Sequence, residues 1–176
     1  KNTNVYVAAF TTSHARLRLY KELELLGEQV LYHDTDSIVY VSRPGNYEVP
    51  TGNMLGEWED ELHGEHMVNV WTSGGPKCYA YQLSDGSTTC KVKGFNLKRS
   101  DTAKLIHYNS MKGLVEDRYH QNVETKIRTT QTMIKRVKTH ALLKTEEQSK
   151  ELRVQYTKGN VVVHRNNMVE TLPFGY

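Results

Sequence analysis

The sequence predicts an α+β fold in which a helix packs against antiparallel strands. One long segment carries apolar residues at helical spacing. It is followed by short β-branched and aromatic runs joined by tight turn signals, and the next long helical segment comes only after a further hairpin. Strands grouped into hairpins, rather than alternating with helices, are the pattern of an α+β chain.

Residues 11–27 form the clearest predicted helix. Thr11, Thr12 and Ser13 offer N-caps and Gly27 offers a stop. Ala15, Leu19, Leu23 and Leu26 make an apolar stripe, leaving Arg16, Lys21, Glu24 and Glu28 largely to solvent. The stripe is expected to be core rather than a binding surface. Residues 29–33 and 37–41 are apolar on alternate and intervening positions, which predicts central strands covered on both faces. Asp34-Thr35-Asp36 joins them as a tight hairpin. Between Arg43 and His66 the chain turns to Pro, Gly, Asn and acid, predicting a loop and a short acidic helix around 54–62. A second hairpin is expected from 77–83 through a turn at 84–89 into 90–95, with Asp85-Gly86 as its turn signal. Beyond Asn96 a helix over 100–115 has Ser100 or Asp101 as its cap. Val123, Thr125, Ile127 and Thr129 alternate as one strand face. Residues 153–156 and 161–165 flank Lys158-Gly159-Asn160 as a last hairpin. No internal repeat or low-complexity tract interrupts this order, and a domain boundary is expected near 96–100.

Composition narrows the function classes. The chain has 176 residues, 38% hydrophobic and 24% charged, which is a soluble globular balance with enough length for a core. No apolar run approaches the length of a membrane-spanning helix. Cys78 and Cys90 lack CxxC spacing, so neither a disulfide framework nor a four-thiolate zinc site is expected, and a reducing, intracellular setting fits. The chain starts at Lys1 without a signal-peptide pattern, and a processed chain or fragment is expected. Residues 1–76 carry 5 Lys and Arg against 11 Asp and Glu, a net of −6, and residues 77–176 carry 18 against 9, a net of +9, which together give +3. Such a division suits an acidic half that handles cations and a basic half that handles a polyanion, although an imbalance without function would look the same.

Tyr32-His33-Asp34-Thr35-Asp36-Ser37 is the most informative segment. A turn needs one Asp for its own hydrogen bonds, and a second carboxylate two residues later adds repulsion unless a cation relieves it. Mg²⁺ takes carboxylate oxygens and bridges to phosphates. An Asp-rich solvated turn is the alternative. Lys77, Tyr79 and Tyr81 alternate onto one face of a strand, and Lys91 and Lys93 share a face of the next. Lysine beside tyrosine suits DNA, with the ammonium on phosphate and the ring along sugar, while a snorkelling Lys beside a core Tyr is the structural alternative. His63 and His66 have HxxH spacing but no evident third ligand, so zinc is not expected there. Cys78 and Cys90 are expected to face each other across the hairpin or to pack as small apolar groups.

The segment 32–37 resembles motif C of family B DNA polymerases, where a YxDTDS turn lies in the palm. Ala9-Phe10-Thr11-Thr12-Ser13-His14-Ala15-Arg16-Leu17-Arg18-Leu19-Tyr20 resembles the helix preceding that motif in protein-primed members. Ser73-Gly74-Gly75-Pro76-Lys77-Cys78-Tyr79-Ala80-Tyr81 resembles their KxY segment, and Lys91-Val92-Lys93-Gly94-Phe95 the Lys-Gly strand that comes next. The ordered match spans about residues 5–95 and is most similar to polymerases of Polinton/Maverick-type mobile elements and related viruses. The ending Thr171-Leu172-Pro173-Phe174-Gly175-Tyr176 is similar to the C-termini of that group.

The resemblance implies the end of a polymerase palm at 1–96 and a thumb at 97–176. It implies Asp36 as a direct ligand of two Mg²⁺ ions, with Mn²⁺ as a substitute, and Asp34 as a supporting ligand. Lys77 and Tyr79 would hold the primer terminus, with Lys91 and Lys93 beside them. The partners implied are a DNA primer-template, deoxynucleoside triphosphates and a terminal-protein primer. An intracellular location is expected, with the compartment left open; the nucleus would suit an integrated element. Lys126, Arg128, Lys135, Arg136, Lys138, Lys144, Lys150, Arg153, Lys158 and Arg165 would grip duplex product. The family's motif A aspartate and motif B lysine lie upstream of motif C and have no counterpart in the 33 residues before Asp34. A two-metal site needs carboxylates from at least two segments, and the 57–61 acids look like surface. Alone, the chain is expected to be inactive. The other readings are a non-catalytic DNA-binding remnant of a mobile element and a generic cation-dependent phosphoryl-transfer domain.

Overall fold

The computed structural model describes residues 4–64, 66–136, 143–156, 160–165 and 168–172. It is mixed α and β, with small antiparallel sheets and few helices. The chain divides into two compact units, 1–65 and 66–176. The expected 96/97 boundary falls inside the second.

The first unit begins with α1 (Val5–Leu26), longer than predicted because Asn4 rather than Thr11 caps it. The Asn4 side chain accepts hydrogen bonds from the N–H groups of Tyr6 and Val7 at 3.1 and 3.2 Å. Only the C-terminal half of the stripe is buried, at Leu19 and Leu26, whereas Val5, Tyr6 and Phe10 are exposed. Glu22 is buried on the same face, and its carboxylate accepts a 2.6 Å hydrogen bond from the Tyr47 hydroxyl. A 3₁₀ turn at Gly27–Gln29 leads into β1 (Val30–Asp34), which pairs antiparallel with β2 (Ser37–Tyr40). These strands are half-buried to exposed, with Leu31 50% exposed. The expectation of central strands covered on both faces therefore fails within the described residues, where each is hydrogen-bonded to the other strand alone.

The acidic helix predicted at 54–62 is instead a series of turns with one bridge between Thr51 and Trp58. Gly56, His63 and Gly64 have φ of 88°, 53° and 69°, which no right-handed helix accommodates. The acids also bond locally. Glu57 accepts from Met54 N–H, and Asp60 accepts from the N–H groups of Leu62 and Gly64, so the backbone is satisfied without a helix.

The second unit is built on a three-stranded sheet, β3 (Val68–Gly75), β4 (Cys78–Leu83) and β5 (Thr88–Val92), in that spatial order. Strand β3 was not predicted. Two helices follow, α2 (Ser100–Leu105) and α3 (Tyr108–His120), in place of the single predicted helix. Ile106 breaks the run because it takes extended backbone (φ −117°, ψ 102°) and is itself only 2% exposed. Ser110 then restarts the helix, its hydroxyl accepting from His107 N–H at 2.9 Å. Neither Ser100 nor Asp101 caps α2, whose N-cap residue is Arg99. The core joins Cys78, Ala80 and Val92 of the sheet to Ile106, Tyr108, Met111 and Leu114 of the helical segment, with Leu152 from a later strand.

A long ribbon follows, β6 (Ile127–Arg136) paired with β7 (Leu143–Leu152) from Ile127↔Leu152 to Arg136↔Leu143. Val123 and Thr125, predicted as strand, are held instead at the end of α3. Val123 N–H donates to Asp117 O, and Thr125 Oγ1 donates to Asp117 Oδ2 at 2.7 Å. The predicted last hairpin is re-paired: β8 (Asn160–Val163) pairs with β9 (Val169–Leu172). Residues 153–156 lie against β3 instead, where Gln155 N–H donates to Gly74 O at 2.9 Å and Tyr156 Oη donates to Ser73 O at 2.8 Å. Lys158 and Gly159 of the predicted turn, and Pro173–Tyr176 of the compared ending, lie outside the described residues.

Candidate functional site

The two expected groups of site residues fall in different units. In the first, Asp34 ends β1 and pairs with Ser37, leaving Thr35 and Asp36 as a two-residue turn. Thr35 adopts φ 51°, the left-handed region that a hairpin turn of this length uses. Three hydrogen bonds stiffen the turn. Thr35 Oγ1 donates to Asp34 Oδ1 at 3.1 Å, Ser37 Oγ donates to Asp34 O at 3.1 Å, and Asp36 N–H donates to Asp34 O. Asp34 is half-buried and Asp36 exposed. Carboxylate oxygens are the donors that Mg²⁺ prefers, so the chemistry of this donor set fits the ion. Their number fits only one side of a site, because no group of three His, Cys, Asp or Glu forms among the described residues. Glu48, the first acid after the hairpin, is committed elsewhere. It accepts from Tyr40 Oη at 2.9 Å and Ser42 Oγ at 2.7 Å, and those bonds hold its carboxyl below the usual range.

In the second unit, the two faces of the β3–β4–β5 sheet have different chemistry. The inner face carries Cys78, Ala80 and Val92 onto α3. Cys78 and Cys90 lie on this same face, two register steps apart rather than directly opposite, both as free thiols. Burial pushes each thiol up to about 11, so they pack as apolar groups. The outer face carries Trp71, Tyr79, Tyr81 and Lys91. Ser73 pairs with Tyr79, Trp71 with Tyr81, and Tyr79 with Lys91, so all five residues project to one side. The Trp71 ring stacks on Tyr79 at 4.8 Å and on Tyr81 at 6.0 Å, with interplanar angles of 28° and 13°. Lys91 Nζ lies 5.8 Å from the centroid of Tyr79. Tyr79, Tyr81 and Lys91 were predicted to share the two strand faces. Trp71 was missed, although the alternation of Val68, Asn69 and Val70 just before it is a strand signal.

Lys77 occupies the turn rather than β4. The loop Pro76-Lys77 joins Gly75 to Cys78, with Lys77 at φ 58° where such a turn ordinarily takes Gly. The two preceding glycines have a packing reason. Gly75 is at φ 119°, and a Cβ there would lie 2.2 Å from Gln155 O. Lys93 follows β5, and its N–H donates to Lys77 O at 2.8 Å, so the two lysine-bearing segments are joined by a backbone bond.

The expected grip of basic residues is partly internally paired. Arg128 and Lys126 approach Glu151 at 2.6 and 3.9 Å, Lys135 approaches Glu146 at 2.6 Å, and Arg153 approaches Glu124 at 3.4 Å. Lys150 Nζ donates to Gly94 O at 2.6 Å. Arg136, Lys144 and Arg165 are exposed, and Lys138 and Lys158 lie outside the described residues. Exposed pairs of this kind are weak and screened by salt, so they lower the field of the ribbon more than they stabilise it. Among the described residues His63 and His66 join no metal-ligating cluster, and His66 lies 3.8 Å from Asp85.

No protein-family model, curated protein or solved structure matches the chain. No helix among the described residues is long and apolar enough to cross a membrane.

Proposed function

We propose that the chain is the palm-end and thumb portion of a protein-primed family B DNA polymerase, extending a primer 3′ end by two-metal phosphoryl transfer. The observation that carries the reading is the order of chemistry along the chain. A long helix leads to a turn with Asp34 and Asp36, then to Lys77 and Tyr79 after a Gly-Gly-Pro turn, then to Lys91 and Lys93. In this reading Asp36 is the direct carboxylate ligand and Asp34 the supporting one. Lys77 and Tyr79 hold the primer terminus, Lys91 and Lys93 contact backbone phosphate, and the missing carboxylate belongs to another segment of a longer chain. Bound Mg²⁺ supplies Lewis-acid stabilisation of the attacking and leaving oxygens. The stiff two-residue turn supports a positioning role, because two bonds to the Asp34 carbonyl fix its backbone and one from Thr35 Oγ1 holds the Asp34 carboxylate, so the turn loses little freedom on binding a cation.

The test is primer extension by the complete enzyme. Asp36→Ala is expected to abolish extension while leaving DNA binding nearly unchanged, and retained extension refutes the assignment. A second reading, a non-catalytic DNA-binding remnant, is favoured by the single-segment supply of carboxylates. An open upstream frame carrying motifs A and B supports the enzyme, and stop codons there support the remnant.

A further inference from the structure

The outer face of β3–β4–β5 offers aromatic surface and positive charge together, on the side opposite the core. Three rings from two strands stand nearly parallel, with the third contact, Tyr79 to Tyr81, at 6.4 Å and 18°. All three are half-buried, so each keeps some ring surface in solvent. Purely structural aromatics would be expected to face the core, yet Ala80, Cys78 and Val92 take that role here. Lysine borders this face, with Lys91 beside Tyr79 and exposed Lys93 in the turn that follows β5. Between Val68 and Lys93 there are three lysines and one acid, and that acid, Asp85, sits in the distal turn beside His66. A stack of half-exposed rings bordered by cations complements a ligand with flat rings on an anionic thread, and only a strand with unpaired bases presents its base faces.

We propose that this face is a stacking site for the bases of single-stranded nucleic acid, with Trp71 and Tyr81 against the bases and Lys91 and Lys93 on the phosphates. It shares a strand with the residues assigned to the primer terminus but depends on no metal chemistry. Duplex DNA meets lysines through its backbone whatever its base faces do. The single strand is therefore the ligand that uses the rings.

The test is fluorescence anisotropy of labelled 12-mers with the full 176-residue chain, comparing oligo(dT), an abasic deoxyribose-phosphate strand of equal charge, and a duplex. Oligo(dT) is expected to bind at least about 5-fold more tightly than the abasic strand, the ratio that one stacked base supplies. In a Trp58→Phe variant, which leaves Trp71 as the sole tryptophan, oligo(dT) is expected to quench its emission. Trp71→Phe should keep most of the preference, Tyr81→Ala should reduce it, and Lys91→Gln should weaken both single strands alike. Equal binding of oligo(dT) and abasic strand by the unaltered chain overturns the proposal without requiring any variant to fold. Duplex binding together with that equality leaves the polymerase reading standing, whereas binding to no nucleic acid sinks both.

Discussion

Gly75→Ala gives the sharpest test of how the Lys77 turn is held. Gly75 has φ 119°, a region open essentially to glycine, and holding alanine there costs about 1–3 kcal/mol. The added Cβ would also lie 2.2 Å from Gln155 O, a backbone atom that cannot rotate away. Segment 153–156 must then withdraw, giving up the bonds from Gln155 N–H to Gly74 O and from Tyr156 Oη to Ser73 O. At about 1 kcal/mol each, these add about 2 kcal/mol, for a total of about 3–5 kcal/mol. Gly74→Ala is the matched control. Its Cβ would meet Cys78 Sγ and Met111 Sδ at 3.2 Å, atoms at the ends of side chains that can give way. Urea unfolding followed by tryptophan fluorescence should show a large fall in midpoint for Gly75→Ala and a smaller one for Gly74→Ala. A loss below about 1 kcal/mol at Gly75, or a larger loss at Gly74, refutes the close approach as the reason for this glycine pair.

Lys77→Gly relieves a left-handed lysine, so it should raise stability by about 1 kcal/mol while weakening duplex binding, and a variant that is both less stable and equally good at binding contradicts the turn assignment. Tyr47→Phe leaves the buried Glu22 carboxylate without its 2.6 Å donor and should cost about 1–3 kcal/mol in thermal unfolding, while an unchanged melting temperature would show that water replaces the hydroxyl. Burial raises the Cys78 and Cys90 thiols to about 11, so the folded chain binds their protons more tightly than the unfolded chain. Their contribution to stability is therefore full at neutral pH and declines as pH rises from the ordinary thiol range towards 11. Disulfide-exchange labelling at pH 8 should be slow in the native protein and fast in urea, and prompt native labelling argues against the burial.

The parts legible in the sequence were those whose partners lie close by. The β1–β2 hairpin follows from apolar runs around Asp34-Thr35-Asp36, and the β4–β5 hairpin from Asp85-Gly86 between alternating strands. The strong local signal at Lys158-Gly159-Asn160 misled, because residues 153–156 find better acceptors on β3, about 80 residues earlier. A tertiary bond of that span leaves no periodic trace. The helix predicted at 54–62 failed for the opposite reason, since Glu57 and Asp60 satisfy backbone donors within four residues. At the candidate site, the turn at Asp34 and Asp36 and the strand positions of Tyr79 and Lys91 are readable from spacing, whereas a site role for them comes only from the resemblance. Trp71 was not readable, because its role depends on β3 lying beside β4 in the register that sets it across from Tyr81.

The contact between Gln155 and the glycine pair also sets an order of events. Residues 68–92 can form their hairpins as soon as they are made, because those pairings are local. The bonds that clasp the far edge of β3 need residue 155, so closing them spans some eighty residues of chain and comes late in folding. The turn that presents Lys77 is thus assembled early and latched last, and a nascent chain would display its lysine before it could hold it still.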